Sequence, residues 1–270
     1  MKFRYDIAIA GLPIGGLNRT TPETLRTFNT ARVIFDLSSH ERLLRNFCKE
    51  VVNLDNEYWT GELDEVVYTR IATLVLNEAL NGSGVVLVVD GHPGIYQDLS
   101  WDIYRRGRRR GLRVRVLPAL SCIDLMIAFC GLRLDCKGLQ IHDATSIVAL
   151  NTRINPFVDL LVMQIGWFGT SLLVDVAHSK KGRFAPLIKY LSQFYPGTHV
   201  ARLLHAPLSP RRSSRGINTR ISRLDKFHKS ITTDMTLFIP ARSDDTKSRI
   251  NEIFIRQTED PEHLAKIASV

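Results

Sequence analysis

Short apolar runs alternate with segments of helical periodicity along the first half of the chain. Helical patterns cover 41–50, 62–80 and 97–109, and Thr21 before Pro22 gives a further strong helix start. The runs with the length and β-branched content of strands are YDIAIAG (5–11), RVIFDL (32–37), VVNL (51–54), VVLVVD (85–90) and LRVRVL (112–117). Because such alternation is typical of a parallel sheet with crossover helices, the pattern predicts an α/β fold.

The pattern changes at Pro118. PALSCIDLMIAFCGL (118–132) is typical of a loop followed by a helix. The strands predicted beyond it are SIVALN (146–151), SLLVDV (171–176), HVARLLH (199–205) and MTLFIPA (235–241). We predict an N-terminal α/β domain with a parallel sheet over 1–117, a C-terminal α/β domain with a mixed sheet over 118–245, and a short helical tail over 246–270.

The stretch VVLVVDGHPGIY (85–96) is a candidate ligand loop. Its apolar run predicts a strand buried on both faces, as in a parallel sheet. Two glycines around His-Pro then give a tight turn with little side-chain bulk, so that backbone groups can lie close to a ligand. Ligands of open α/β sheets bind at the carboxyl ends of such strands. The alternative is an ordinary strand-to-helix turn.

Charge adds a question about partners. The formal net charge is +9, and the segments 104–116 and 209–220 carry much of it. Either a solvated basic face or a surface for an anionic substrate or partner explains these segments. Aromatic residues do not interleave with the arginines, and no recognised nucleic-acid motif accompanies them, so the sequence disfavours a nucleic-acid partner.

Neither membrane insertion nor a metal site is expected. No apolar run approaches the roughly 18 residues of a membrane span. The four cysteines have neither zinc spacing nor the pattern of a disulfide framework, and His142, His178 and His205 are scattered without ligand spacing. We therefore expect a soluble cytoplasmic protein with reduced thiols.

Several motifs, taken in order, resemble a known family. They are GLPIGG after the first strand, GHPGIY after the fourth, PALSCIDLMIAFCGLRLDCKGLQIHDAT, LLVMQIGWFG and MTLFIPA. Together they resemble the tetrapyrrole (corrin/porphyrin) methylase superfamily. Within it the sequence is most similar to the borosin-type peptide backbone N-methyltransferases, whose equivalent loop commonly reads YGHPGVF. The likeness covers roughly residues 5–245.

The resemblance implies a class III methyltransferase whose chain has two α/β domains, with S-adenosylmethionine (SAM) in the cleft between them, and which forms a homodimer. For His92 it favours a turn-stabilising role beside the cofactor over that of a catalytic base. Ser121 and Cys122 match the family's small-residue pair, although Ala119 here follows Pro118 where the family has glycine. The implied cofactor-binding residues are Leu12, Gly91, His92, Ile95, Ser121, Cys122, Gln164, Ile165, Ala206 and Pro240.

The resemblance also indicates catalytic positions, and two of them depart from the family. Tyr68 and Tyr58 match borosin tyrosines by their distance from the GHPG loop. Asp64 stands where the family has arginine, and Asp90 stands where borosin enzymes have tyrosine. Methylating a backbone amide calls for a base and for a positive group that stabilises the imidate-like oxygen, so the exchange removes the expected cation. Alternatively, the tyrosines form a buried aromatic wall and Asp64 lies on an exposed helix face.

Three functions follow from these observations. The first is a SAM-dependent methyltransferase acting in trans on a separate precursor peptide, as in split borosin systems, because no core peptide is found within the 270 residues. The second is a methylase of a tetrapyrrole or another small molecule, whose acidic groups would meet the basic segments. The third is a catalytically silent SAM-binding scaffold, which the two departures motivate.

Overall fold

A computed structural model of the protein describes residues 4–132, 134, 138–174, 180–205 and 216–242. These residues form two compact units. The first contains residues 4–131 and 169–174, and the second contains the remaining described residues. The domain boundary after residue 117 stays a prediction, and the proposed tail over 246–270 lies outside the described residues.

The first unit contains a five-stranded sheet in the order β3-β2-β4-β1-β5, in which every neighbouring pair is parallel. Its strands are β1 (Ile7–Leu12), β2 (Val33–Leu37), β3 (Val51–Asn53), β4 (Val85–Asp90) and β5 (Val114–Val116). The five strands and the parallel sheet predicted from the apolar runs are therefore confirmed.

Six α-helices accompany this sheet. They are α1 (Pro22–Asn29), α2 (Glu41–Leu44), α3 (Asp55–Tyr58), α4 (Asp64–Asn81), α5 (Asp98–Arg109) and α6 (Cys122–Cys130). The helix predicted over 41–50 ends early, because after Leu44 the backbone forms tighter turns, with Asn46 N donating to Leu43 O and Phe47 N donating to Leu44 O.

Helices cover both faces of the sheet, which explains why its central strands are apolar on both sides. On one face, alternate residues of β1 and β4 pack with Phe28 and Leu44. On the other face lie α4 and α5. A Cβ atom at Gly107 of α5 would lie 2.6 Å from Val114 Cγ2 and 3.3 Å from Leu76 Cδ2, so glycine permits the close approach of this helix.

The strand order creates a topological switch point between β1 and β4. The chain leaves β1 toward β2, which lies beyond β4, whereas it leaves β4 toward β5, which lies beyond β1. Neighbouring strands whose connections diverge in this way open a crevice at their carboxyl ends, where ligands of α/β sheets bind. The GLPIGG and GHPG segments both follow these two strands.

The second unit contains a mixed sheet in the order β6-β7-β10-β8-β9. The β6–β7 pair is parallel and the other pairs are antiparallel, which confirms the predicted mixed sheet. Its elements are β6 (Gln140–Asp143), α7 (Ala144–Ala149), β7 (Leu160–Met163), α8 (Ala185–Leu191), β8 (Val200–His205), β9 (Gly216–Arg220) and β10 (Met235–Ile239). None of the described helices is long and apolar enough to cross a membrane.

Two strands predicted for this half are wrong. SIVALN (146–151) begins within α7, because Asp143 caps a helix by accepting hydrogen bonds from Thr145 N and Ser146 N. Within SLLVDV, the described residues 171–174 contain only one isolated bridge, from Leu172 to Leu63. The predicted strands at 199–205 and 235–241 are confirmed as β8 and β10, whereas β6, β7 and β9 were not predicted.

Candidate cofactor and active site

The switch point is built from a close backbone junction of three segments. Gly91 N donates a hydrogen bond to Leu12 O at 2.8 Å. A Cβ atom at Gly11 would lie 1.9 Å from Gly91 O, and 2.9 Å from both Ala119 Cβ and Pro93 Cδ. The turn after β1, the GHPG turn and the segment before α6 therefore meet at Gly11. Leu12 was predicted to lie at this junction and Gly11 was not, although a glycine at the end of a buried strand indicates such an approach.

The GHPG turn is held by the side chain of its own His92 and by Trp101 of α5. Gly94 N donates to His92 Nδ1 at 3.0 Å, and Trp101 Nε1 donates to Gly94 O at 3.1 Å. Ile95 N donates to His92 O at 3.1 Å within the same turn. Gly91 has φ 68°, and nothing lies within 4 Å of a Cβ built there, so open space adjoins this backbone. The imidazole thus stabilises the turn, and contacts of His92 and Ile95 with a cofactor stay predictions.

Two other predicted cofactor residues of this unit, Leu12 and Ser121, use their side chains to stabilise the fold. The Leu12 side chain is buried in the core, so only its backbone is available to a ligand. The Ser121 hydroxyl caps α6: it accepts from Asp124 N at 3.2 Å, while Ser121 N donates to the Asp124 carboxylate at 2.7 Å. Burial raises the pKa of the Cys122 thiol, which keeps it protonated and small.

This capping box leads to a first prediction. Ser121→Ala should lower the free energy of unfolding by about 1 kcal/mol, because the Asp124 N–H in the first turn of α6 loses its hydrogen-bond acceptor. Denaturant unfolding measures the loss, and Thr21→Ala, which removes the equivalent cap of α1, is the matched control. If the hydroxyl acts only as a cap, SAM affinity stays unchanged in both variants. A loss of affinity in Ser121→Ala alone would instead place its hydroxyl on the cofactor.

The two candidate tyrosines lie together. Tyr58 ends α3 and Tyr68 lies in the second turn of α4, with their rings stacked at a centroid distance of 6.2 Å and 27° between the planes. In addition to the effect of burial, each phenol shifts the pKa of the other, Tyr68 lowering that of Tyr58 and Tyr58 raising that of Tyr68. The start of α4 is fixed by the segment 169–174, because Asp64 N donates to Ser171 O at 2.9 Å. Helices and this segment therefore hold the pair in place.

The electrostatics around the pair disfavour a tyrosinate. Burial raises the pKa of Tyr68 far above its usual range, and neighbouring groups, including the Asp64 carboxylate, raise it further. Burial also raises the pKa of Tyr58. Arg70 pairs with other groups: its guanidinium lies 2.7 Å from Glu62 Oε2 and 3.4 Å from Glu57 Oε2. Both phenols are therefore neutral hydrogen-bonding groups near pH 7.

Asp90, unlike the two tyrosines, is a group that changes its protonation state near neutral pH. It ends β4 directly before Gly91, and its side chain reaches water. Even so, its pKa is raised to about 6: partial desolvation raises it most, the charge of His40 lowers it, and the charges of Asp36 and Asp55 raise it. The smaller contribution from like charge follows from the sheet, because Asp36 near the end of β2 and Asp55 just after β3 lie at the edge where β4 ends. Asp90 is therefore a carboxylate poised to accept a proton near neutral pH.

One of the predicted cofactor residues in the second unit, Gln164, has an unusual backbone conformation. Gln164 follows β7 in the left-handed conformation, with φ 57° and ψ 33°, and Ile165 behind it is fully buried. Strain of this kind in a non-glycine residue is concentrated at functional sites. Pro240 follows β10, and its carbonyl accepts from His199 Nε2 at 2.8 Å. Ala206 lies outside the described residues, so its predicted role stays a prediction.

Candidate metal ligands are not grouped in the described part of the chain. No set of three or more His, Cys, Asp or Glu side chains among the described residues is arranged to hold a metal ion. His142 and His205 lie at the carboxyl ends of different strands, and His205 Nδ1 contacts Asp234 Oδ2 at 2.8 Å. His178 lies outside the described residues.

Known proteins with similar sequences include methyltransferase/borosin cyclic peptide precursors. The methyltransferase/ribosomally synthesized type I borosin cyclic peptide precursor of Mycena rosella is 24% identical over 249 residues, which are 90% of this chain and 62% of that protein. The type I borosin precursor of Serendipita vermifera subsp. bescii is 26% identical over 274 residues, which are 98% of this chain and 65% of that protein. This chain thus spans less than two thirds of the length of either relative.

A solved structure with a similar fold and a matching family model agree with each other. Uroporphyrin-III C-methyl transferase from Thermus thermophilus, solved with S-adenyl homocysteine, has a TM-score of 0.60 at 16% identity, covering 87% of this chain and 96% of that one. This likeness confirms the predicted class III α/β fold. Residues 6–206 also match the family model of the tetrapyrrole (corrin/porphyrin) methylases. Because that match spans most of the chain, this protein belongs to the tetrapyrrole (corrin/porphyrin) methylases, a family of S-adenosylmethionine-dependent methyltransferases.

Proposed function

We propose that this protein transfers a methyl group from SAM to a backbone nitrogen of a separate peptide, a borosin-like reaction carried out in trans. The observation that carries the proposal is the glycine junction at the switch point, with the Asp90 carboxylate directly beside it. The curated relatives, which are named as borosin peptide precursors, support a peptide acceptor. A homodimer and a cytoplasmic location stay predictions.

The residues present fit the cofactor. The open space beside Gly91 leaves room for a ligand next to the backbone. The side chains of Leu12 and Ser121 are used within the fold, so these residues would contact the ligand through their main-chain atoms. We assign cofactor contacts to Leu12, Gly91, His92, Ile95, Ser121 and Cys122 in the first unit and to Gln164, Ile165, Ala206 and Pro240 in the second. When bound, SAM supplies an electrophilic methyl group on a sulfonium.

The protein's own task is to align the acceptor nitrogen and to take up its proton. We assign proton uptake to Asp90, because its carboxylate is ionised above about pH 6, whereas the raised pKa values of Tyr58 and Tyr68 keep both phenols protonated. In this role the phenol pair donates a hydrogen bond to the acceptor's carbonyl oxygen. This hydrogen bond partly replaces the positive charge of the arginine that the family has at the position of Asp64.

The acceptor is tested directly by mass spectrometry. The purified protein is mixed with SAM and synthetic peptides encoded near its gene, and fragmentation locates any added methyl group. We expect methylation of a backbone nitrogen, and none from a Gly91→Trp variant that fills the open space. Addition of an unmethylated peptide to purified enzyme tests action in trans, since a reaction confined to one chain would leave that peptide unchanged.

A second candidate is methylation of a tetrapyrrole or another small molecule. The observation in its favour is the pair of carboxylates, Asp64 and Asp90, which can accept hydrogen bonds from pyrrole N–H groups. The same assay with uroporphyrinogen as acceptor decides between the two: methylated macrocycle with unmodified peptides supports this candidate. If SAM binds but no acceptor is modified, the silent scaffold is favoured.

A further inference from the structure

The end of α5 and the strand after it carry a dense set of arginines. Residues 104–116 contain seven arginines and no lysine. Two of them are used within the fold: Arg106 pairs with Asp102 at 3.1 Å, and Arg113 pairs with Asp6 at 2.9 Å. The other five are exposed and form no ion pair with a described residue: Arg105, Arg108, Arg109, Arg110 and Arg115.

An ordinary solvated face does not explain this set. Exposed charge is usually mixed in sign, whereas all five of these side chains carry the same sign. The favourable interaction with the helix C-terminus is limited to its last turn, and Arg115 lies on the strand β5 instead. The exclusive use of arginine indicates a requirement for planar, bidentate donors, which match carboxylate and phosphate groups.

We propose that these five arginines, the arginine surface, dock an acidic segment of the acceptor peptide at a distance from the site of methyl transfer. This inference rests on the proposed function. Carboxylates are favoured over nucleic acid because the set is not interleaved with aromatic residues, on which single-stranded bases would stack. The surface then raises the affinity for the acceptor without touching the reacting atoms.

The fold places the arginine surface at the opposite edge of the sheet from the candidate site. The helix α5 starts beside the GHPG turn at the carboxyl edge and ends before β5 at the amino edge. Its 12 residues span about 18 Å. An extended peptide covers this distance with about six residues. We therefore expect the acidic segment to be separated from the methylated residue by about six residues or more.

A binding assay tests the surface without knowledge of the natural acceptor. The probe is a fluorescein-labelled peptide of about ten glutamates, long enough to span the five side chains. The surface variant is R105Q/R108Q/R109Q/R110Q, and the matched control, R26Q/R42Q/R153Q/R223Q, removes the same charge from four exposed arginines elsewhere. We expect affinity to fall about tenfold in the surface variant and less than about twofold in the control. Thermal unfolding and SAM titration check that both variants remain folded.

Two results would overturn the docking surface. Equal losses in both variants would mean that only net charge matters, and tighter binding of an oligothymidylate, lost with the same arginines, would make the surface a nucleic-acid site. The assay is also separable from the proposed function. If no peptide is methylated but the glutamate peptide still binds the surface variant more weakly than the control, docking of acidic peptides is supported and the proposed function is not. If an acidic acceptor peptide is methylated with an unchanged KM in the surface variant, methyl transfer stands and docking fails.

Discussion

Gly11→Ala is expected to abolish measurable SAM binding and to lower the free energy of unfolding by about 3 kcal/mol. The added Cβ atom would lie 1.9 Å from Gly91 O, a backbone atom that cannot rotate away as a side chain does. The clash would force apart the three segments that meet at the switch point. Isothermal titration with SAM and denaturant unfolding measure the two effects.

Two controls separate loss of the site from general damage. Gly91 and Gly111 both have positive φ with nothing within 4 Å of an added Cβ, so Gly91→Ala and Gly111→Ala should each cost about 1 kcal/mol from backbone strain. Gly111 lies at the opposite edge of the sheet, so only Gly91→Ala should weaken SAM binding. A folded Gly11→Ala variant with normal SAM affinity would show that this junction does not hold the cofactor.

The first half of the fold could be predicted from the sequence because its signals are local. A strand buried on both faces needs a continuous apolar run, and the run at 85–90 became β4 with five fully buried residues. The second half was harder, because its strands are short and partly polar. QIHD became β6 only through its pairing with β7, and the apolar residues at 147–149 became helical because Asp143 caps the helix that contains them.

The candidate site was predicted in its residues rather than in their interactions. Helical periodicity placed Asp64 and Tyr68 on one predicted helix, whereas Tyr58 was indicated only by the family resemblance, and the helix α3 that it ends was not predicted. The role of Gly11 depends on the approach of a segment 80 residues away, which no local pattern encodes. The same holds for Asp90, whose pKa depends first on desolvation by the packed chain around it and then on charges of other segments, namely His40, Asp36 and Asp55.

Asp90→Asn is expected to lower kcat by about 10²-fold or more, because a carboxamide cannot accept the acceptor's proton. In the wild type, activity should fall as the pH drops below about 6, where the Asp90 carboxylate becomes protonated. The variant should lack this acidic limb. The pH dependence of single-turnover methyl transfer measures both effects, and Asp102→Asn, which changes a carboxylate on the outer part of α5, serves as the control.

Stability should change in the opposite direction to activity. The folded protein raises the pKa of Asp90 from 3.8 to about 6, so the fold penalises the ionised carboxylate. Between about pH 4 and 6 the folded state binds more protons than the unfolded state, and stability therefore falls as pH rises through this window. Above pH 6 the full penalty remains, and Asp90→Asn should relieve it by about 1 kcal/mol after allowance for the carboxyl's contact with water. The gain should shrink as the pH approaches 4. A variant that is less stable at pH 7 and retains kcat would show that Asp90 supports the fold and takes no part in proton uptake.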